Sequence, residues 1–119
     1  MPLTIEELFQ QGIELFNSER FFECHEAWEA AWLRSNAEEK LFYQGMIQAA
    51  AAVLHAQRGN PAGSRGLWGK ALEKLAPLPA QFRSIALEEL RRDLTQYFAQ
   101  LLERGSAPDH PPKIRRLDS

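Results

Sequence analysis

The chain has 119 residues, of which 45% are apolar and 25% are charged, and its formal net charge is -2. A chain of this length buries about two thirds of its unfolded surface, so one hydrophobic core suffices without disulfides or structural metal. The composition excludes an intrinsically disordered chain and a collagen-like fibre. The charge is uneven, because residues 1–39 hold nine acidic and two basic side chains, whereas residues 40–119 hold seven acidic and twelve basic ones.

Cysteine content and hydropathy indicate the compartment. The single cysteine, Cys24, has no partner for an intramolecular disulfide, and the N-terminal residues lack the basic and apolar regions of a signal peptide. The longest stretch without Asp, Glu, Lys or Arg runs from Leu41 to Gln57, which is too short to span a membrane comfortably. We therefore expect a cytoplasmic protein that does not insert into a membrane.

Capping signals and apolar periodicity predict the first three helices. Thr4 and Glu7 have the spacing of a capping box, and apolar residues follow at intervals of three and four. A second amphipathic stretch covers roughly residues 19–34. Asn36 and Glu39 offer another capping box, which predicts the start of a third helix.

Turn residues mark the end of the third helix and the start of a fourth. Gly59 tolerates the left-handed conformation that ends helices, while Asn60 and Pro61 favour a cap and a first helical turn. The fourth helix is expected over about residues 61–76. Its glycines suggest a close backbone approach to a neighbour. They are Gly63, Gly66 and Gly69.

A fifth helix and a tail complete the chain. Prolines end the fourth helix, and Ser84 is expected to cap a fifth helix that closes before Gly105. Residues 106–119 contain three prolines and few apolar residues, so we expect a flexible, basic tail. No segment alternates like a strand. The predicted fold is all-α, a compact bundle of about five helices built from two antiparallel hairpins and a C-terminal helix in one domain, residues 1–105.

Polar residues fall within the apolar faces of the second and third helices. At about 100° per residue, His25 and Glu29 lie within the aromatic arc of the second helix, and Glu26 lies at its edge. That arc is formed by Phe21, Phe22, Trp28 and Trp32. The third helix has no formal charge over residues 41–57, yet it carries a polar stripe that shares a face with small and apolar residues. This stripe consists of Gln44, Gln48 and His55.

Two interior polar sets predict a shared network. An unpaired amide or carboxylate costs a few kcal/mol to bury, so we expect the polar residues of the two helices to join in one hydrogen-bonded cluster. The cluster could simply fix how the helices dock, or it could line a small cleft that binds a ligand or holds a general base. A surface-binding role unrelated to the cluster is a third interpretation.

A divalent metal is the cofactor that this cluster could hold. The ligands would be His25, Glu29 and His55. The stretch from His25 to Glu29 resembles the zincin helix at two positions, but a glutamate stands where the second histidine ligand is required. Cys24 is adjacent to His25, but consecutive helical residues diverge by about 100°, so core packing is expected for the thiol.

Several motifs together resemble the domain-of-unknown-function family numbered 309, over about residues 5–76. They are Phe21-Phe22-Glu23-Cys24-His25-Glu26-Ala27-Trp28-Glu29, Trp32, Gln44-Gly45-Met46-Ile47-Gln48, His55 and Gly59-Asn60. The resemblance implies a small all-helical bundle found in microbes, with no established activity. Its motif positions correspond to His25, Glu26, Glu29, Trp32, Gln44, Gln48, His55 and Asn60. We expect structural roles for Trp28, Trp32, Gly45, Gly59 and Asn60.

Two functions compete. The first is a noncatalytic helical module that binds a protein or a small ligand, because no complete catalytic motif is present. The second is a metal-binding protein or metal-assisted hydrolase that uses His25, Glu29 and His55. Whether the protein is an enzyme stays open. A homodimer is compatible with spare aromatic surface, and nucleic-acid binding is not expected from a net acidic chain.

Overall fold

The computed structural model of this chain describes residues 2–117. It confirms the all-α fold, with two antiparallel hairpins stacked side by side and a fifth helix packed on the fourth. The helices are α1 (Ile5–Asn17), α2 (Phe21–Leu33), α3 (Ala37–Gln57), α4 (Pro61–Leu75) and α5 (Leu87–Arg104). No helix within the described residues is both long and apolar enough to cross a membrane.

The predicted capping box at the start of α1 is confirmed. Thr4 Oγ1 accepts a hydrogen bond from the Glu7 amide at 3.0 Å, and the Glu7 carboxylate accepts one from the Thr4 amide at 2.9 Å. These bonds hold the pKa of Glu7 below its usual value. The prediction of a second capping box was wrong. Asn36 is the N-cap of α3, but its side chain makes no capping hydrogen bond. The Glu39 carboxylate instead lies 3.5 Å from Arg83 Nη1.

The turn between α3 and α4 follows its sequence signals. Gly59 has a φ of +75°, and the Asn60 side chain accepts a hydrogen bond from the Gly63 amide at 3.1 Å. Pro61 is the first residue of α4. The structural roles expected of Gly59 and Asn60 are those of a helix end and a helix cap.

Close contacts occur at one of the three glycines expected and at two others. A Cβ on Gly63 would lie 2.6 Å from Asn60 Nδ2 and 3.1 Å from His55 Nδ1 on α3, as expected of a close approach. Gly66 and Gly69 have no atom within 4 Å of where a Cβ would stand, so the close approach predicted for them was wrong. A Cβ on Gly12 would lie 1.9 Å from Trp28 Nε1, and one on Gly45 would lie 2.8 Å from the Leu75 side chain. These two glycines therefore allow α1 to pack on α2 and α3 on α4.

The hydrophobic core confirms that Cys24 is a packing residue. Its side chain is fully buried, and Sγ lies 3.4 Å from the Gly12 carbonyl oxygen. Burial raises the pKa of the thiol well above its usual value. Trp28 is also fully buried, and its Nε1 donates to the Phe9 carbonyl at 3.4 Å. Neither side chain is accessible for chemistry.

The start of α5 differs from the prediction. Ser84 does not cap this helix, which begins at Leu87 behind Ala86. Two antiparallel two-residue strands precede it, β1 (Gln81–Phe82) and β2 (Ile85–Ala86). Arg83 and Ser84, with φ of +50° and +69°, form the turn between these strands. Strands of two residues are too short to produce a recognisable alternation.

The C-terminal segment packs against the bundle, in contrast to the flexible tail expected from its composition. Ile114 is 3% exposed, and the Asn17 side chain bonds both its amide, at 2.7 Å, and its carbonyl, at 2.9 Å. The Ala86 amide donates to the Arg115 carbonyl at 3.0 Å. The buried Ile114 side chain and backbone pairing therefore hold a segment that is polar overall. Residues 118–119 lie outside the described residues.

Candidate functional site

A cleft between α2 and α3 brings together four of the six predicted cluster residues. Its volume is about 210 Å³. The predicted residues that line it are His25, Glu29, Gln44 and Gln48, and Trp32 and Ile47 complete the lining. The cleft thus combines two apolar side chains with imidazole, carboxylate and amide groups.

The cluster faces solvent rather than the core. His25 Nδ1 lies 3.7 Å from Glu29 Oε2, one helical turn away, and these side chains are 40% and 52% exposed. The prediction of a buried network was therefore wrong. That prediction treats Phe22 as a core residue, but the Phe22 side chain is 63% exposed. Without Phe22 the buried arc of α2 shifts, leaving His25 at its edge and Glu29 outside it.

The polar stripe of α3 is also partly exposed. Gln48 Oε1 accepts a hydrogen bond from Lys74 Nζ on α4 at 2.9 Å, whereas Gln44 makes no side-chain hydrogen bond within the described residues. The opposite face of α3 holds its fully buried side chains, such as Phe42 and Met46. The stripe therefore lies on the partly solvent-exposed face of α3 that α2 and α4 leave uncovered. The prediction that it is buried was wrong.

Trp32 forms the apolar wall of the cleft. Its Nε1 is buried and has no hydrogen-bond partner within residues 2–117. Lys40 Nζ lies 4.9 Å from the centre of the Trp32 ring, within the range of a cation–π interaction. A partly exposed indole beside an exposed carboxylate can bury apolar surface and pair with a charge at the same time.

Two predicted cluster residues lie elsewhere. His55 is close to the opposite end of α3, about 16 Å along the axis from Gln44, because eleven residues separate them. Its Nδ1 lies 3.0 Å from Asn60 Nδ2, so it supports the turn into α4. Glu26 is exposed and faces a second groove, between α1 and α2.

The structure does not assemble the predicted metal site. His55 is far from His25 and Glu29, so the three predicted ligands of a divalent metal cannot share one ion. Within residues 2–117, no three His, Cys, Asp or Glu side chains converge as metal ligands would. The predicted ligand set was therefore wrong, because helical spacing gives the face of a side chain but not its neighbours on other helices.

Apolar residues that were not predicted to be exposed lie at the two ends of the cleft-lining part of α2. Phe22 is 63% exposed and Leu33 is 68% exposed. They are eleven residues apart on α2, which places them on one face about 16 Å apart. Leu41 adds a third exposed apolar side chain, on α3. The position of Phe22 could have indicated its exposure from the sequence, because among the aromatic residues of α2 it lies farthest from the centre of the buried arc.

Comparisons with known proteins show that the cleft lies in the part of the chain that a family model matches. The family model described as "Domain of unknown function (DUF309)" matches residues 9–67, which include the whole cleft. The chain is 34% identical over 104 residues to an uncharacterized protein of Aquifex aeolicus (strain VF5), covering 87% of this chain and 31% of that protein. It is 32% identical over 82 residues to the uncharacterized protein YpuF of Bacillus subtilis (strain 168), covering 68% of this chain and 44% of that protein. The chain thus spans less than half the length of each relative.

Proposed function

We propose a function from the cleft of this chain, which belongs to the family of unknown function whose model matches residues 9–67, as its motifs indicated. The chain is a noncatalytic binding module, and the cleft between α2 and α3 receives a segment of a partner protein. The single observation that carries the proposal is a cleft walled by Trp32 and Ile47 and rimmed by polar groups, beside the α2 face on which Phe22 and Leu33 are exposed.

The size of the cleft favours a protein segment over a small molecule. Pockets for small ligands usually measure about 300–1,000 Å³, whereas this cleft measures about 210 Å³. A space of this size suits one large apolar side chain. Protein interfaces commonly place such an anchor in a pocket at their centre, surrounded by contacts that exclude water.

The surroundings of the cleft support the same interpretation. Phe22 and Leu33 offer apolar surface toward the two ends of α2, which a partner segment laid along this helix would cover. His25, Glu29 and Gln44 provide a polar rim, which is the usual composition around an interface centre. The longer relatives carry further regions beside the matching one, so a domain that binds a protein segment suits their architecture.

The test compares partner binding by the intact chain and by two variants. Phe22→Ser with Leu33→Ser removes the apolar flanks, whereas Leu102→Ser, which alters an exposed leucine on α5, serves as a single-site control. Partners from a cytoplasmic extract, the compartment we propose, are identified, purified and titrated. We expect at least about tenfold weaker binding for the double variant, since buried anchors contribute more than about 1 kcal/mol each. Equal affinities for all three chains would refute the proposal.

A second copy of the chain is the alternative occupant. In that case sedimentation analysis would show a homodimer that the Phe22→Ser, Leu33→Ser variant abolishes and Leu102→Ser leaves intact. Such a dimer would show that a second copy of the chain, rather than a different protein, occupies the cleft. A chain that stays monomeric at all concentrations would leave the cleft free for a different protein.

A further inference from the structure

We infer that the partner segment is basic and amphipathic, with one apolar side chain seated in the cleft and lysine or arginine side chains against Glu26 and Glu29. This inference rests on the proposed function, because it names the chemistry of the partner at the same surface. It follows from the order of side chains along the exposed face of α2 and from the charges that this face leaves without a cation.

The exposed face of α2 carries two acidic side chains between two apolar ones. Glu26 follows Phe22 by four residues, and Glu29 precedes Leu33 by four residues, so each carboxylate is one helical turn from an exposed apolar side chain. Both carboxylates therefore lie between the two apolar ends along the helix, with Glu29 at the cleft between α2 and α3 and Glu26 at the neighbouring groove between α1 and α2. A helix laid along this face needs apolar residues at its ends and positive charge at its middle to match it.

The two carboxylates are available for pairing. Within residues 2–117, Glu26 has no ion-pair partner, and the only one of Glu29 is His25, at 3.7 Å. Glu23 differs, because its carboxylate is already bonded to Arg20, the N-cap residue of α2. Free carboxylates beside apolar surface attract a cationic segment and repel an acidic one.

The cations near the cleft are already engaged. Lys40 lies over the Trp32 ring, and Lys74 donates to Gln48. Lys40 is on α3 and Lys74 is on α4, whereas both free carboxylates are on α2. A bound helix therefore places its basic side chains against Glu26 and Glu29 and its apolar anchor against Trp32.

A peptide display experiment tests this chemistry without knowledge of the natural partner. A random library of peptides about twelve residues long, enough for three helical turns, is selected on the full chain and counter-selected on the Phe22→Ser, Leu33→Ser variant. We expect the retained peptides to be enriched in Lys and Arg near a Leu, Phe or Trp anchor. Enriched peptides without basic residues would overturn this inference and leave the proposed function standing. No peptide that distinguishes the two chains would overturn both.

Charge variants then measure the contribution of each carboxylate. One selected peptide is synthesised and titrated onto the full chain and onto Glu26→Gln, Glu29→Gln and the control Glu103→Gln, which alters an exposed carboxylate on α5. We expect each α2 substitution to weaken binding about two- to fivefold, the usual effect of one exposed ion pair. The difference should shrink as salt is raised. Unchanged affinity in both α2 variants would refute the predicted pairing.

Discussion

Trp28 lies directly against Gly12, so closely that a Cβ on residue 12 would stand 1.9 Å from the indole nitrogen. The ring fills the contact between α1 and α2, and its Nε1 donates to the Phe9 carbonyl on α1. This contact sets the rotation of α2 about its axis. It thereby determines that Phe21 and Cys24 point inward while Phe22 and Glu29 point outward.

Gly12→Ala should destabilise the protein strongly. The added methyl group cannot fit without moving an indole ring that is buried on all sides, and overpacking of this kind typically costs about 1–3 kcal/mol, occasionally more. Urea unfolding followed by circular dichroism measures the change. A free energy of unfolding equal to that of the wild type would show that α1 and α2 are not held by this contact.

Gly69→Ala is the matched control in another helix. Gly69 is exposed within α4, and no atom lies within 4 Å of the position that an added methyl group would take. Because alanine favours the helix over glycine by about 1 kcal/mol, this variant should be stabilised by about that amount. Destabilisation at this position would mean that α4 packs against something on that side.

Asn17→Ala should release the C-terminal segment. The Asn17 amide group bonds both the N–H and the carbonyl of Ile114, whose side chain is buried. Leaving these partly buried groups unpaired should cost about 1–3 kcal/mol and increase hydrogen exchange at the Ile114 amide. Asn36→Ala is the control, since Asn36 makes no cap bond. Equal effects of the two substitutions would contradict the role of Asn17.

Stability should fall above about pH 10 because of Tyr43. Burial raises the pKa of its hydroxyl from 10.0 to about 12, with the Arg83 guanidinium opposing part of that rise. The unfolded chain therefore loses this proton first, and the folded state is progressively disfavoured between those two values. Tyr43→Phe should show a smaller loss of unfolding free energy from about pH 9 to about pH 11. An identical loss in both proteins would exclude Tyr43 as a cause.

The Cys24 thiol should resist modification in the folded protein. It is fully buried, and burial raises its pKa, so little thiolate is present or accessible at neutral pH. Reaction with a disulfide reagent should be about 100-fold or more slower than in denaturant, because it requires opening of the structure. Rapid stoichiometric reaction of the native protein would contradict this packing.

Much of the fold could be predicted because its signals are local. The capping box at Thr4, the turn at Gly59 and the helix stop at Gly105 each depend on residues close in sequence, and all three are present in the structure. The packed tail could not be predicted in this way. Its main anchor joins Asn17 to Ile114, which are 97 residues apart.

The site was predicted in part for the same reason. Periodicity placed His25 and Glu29 near Gln44 and Gln48, and the structure brings these four around one cleft. Whether they were buried depended on the identity of the core residues of α2. Phe22 is as apolar as Phe21, and the packing of Trp28 on α2 against Gly12 on α1 decides which of the two is covered.

The most direct test of the proposed binding site uses the three tryptophans as internal reporters. Trp28 and Trp68 are buried at 0% and 9% exposure, whereas Trp32 lines the cleft. The indole N–H resonances of the ¹⁵N-labelled chain are recorded during titration with a selected peptide. We expect the Trp32 resonance to shift with saturation while those of Trp28 and Trp68 stay in place. A bound peptide that shifts Trp68 and leaves Trp32 unchanged would contradict the proposed site.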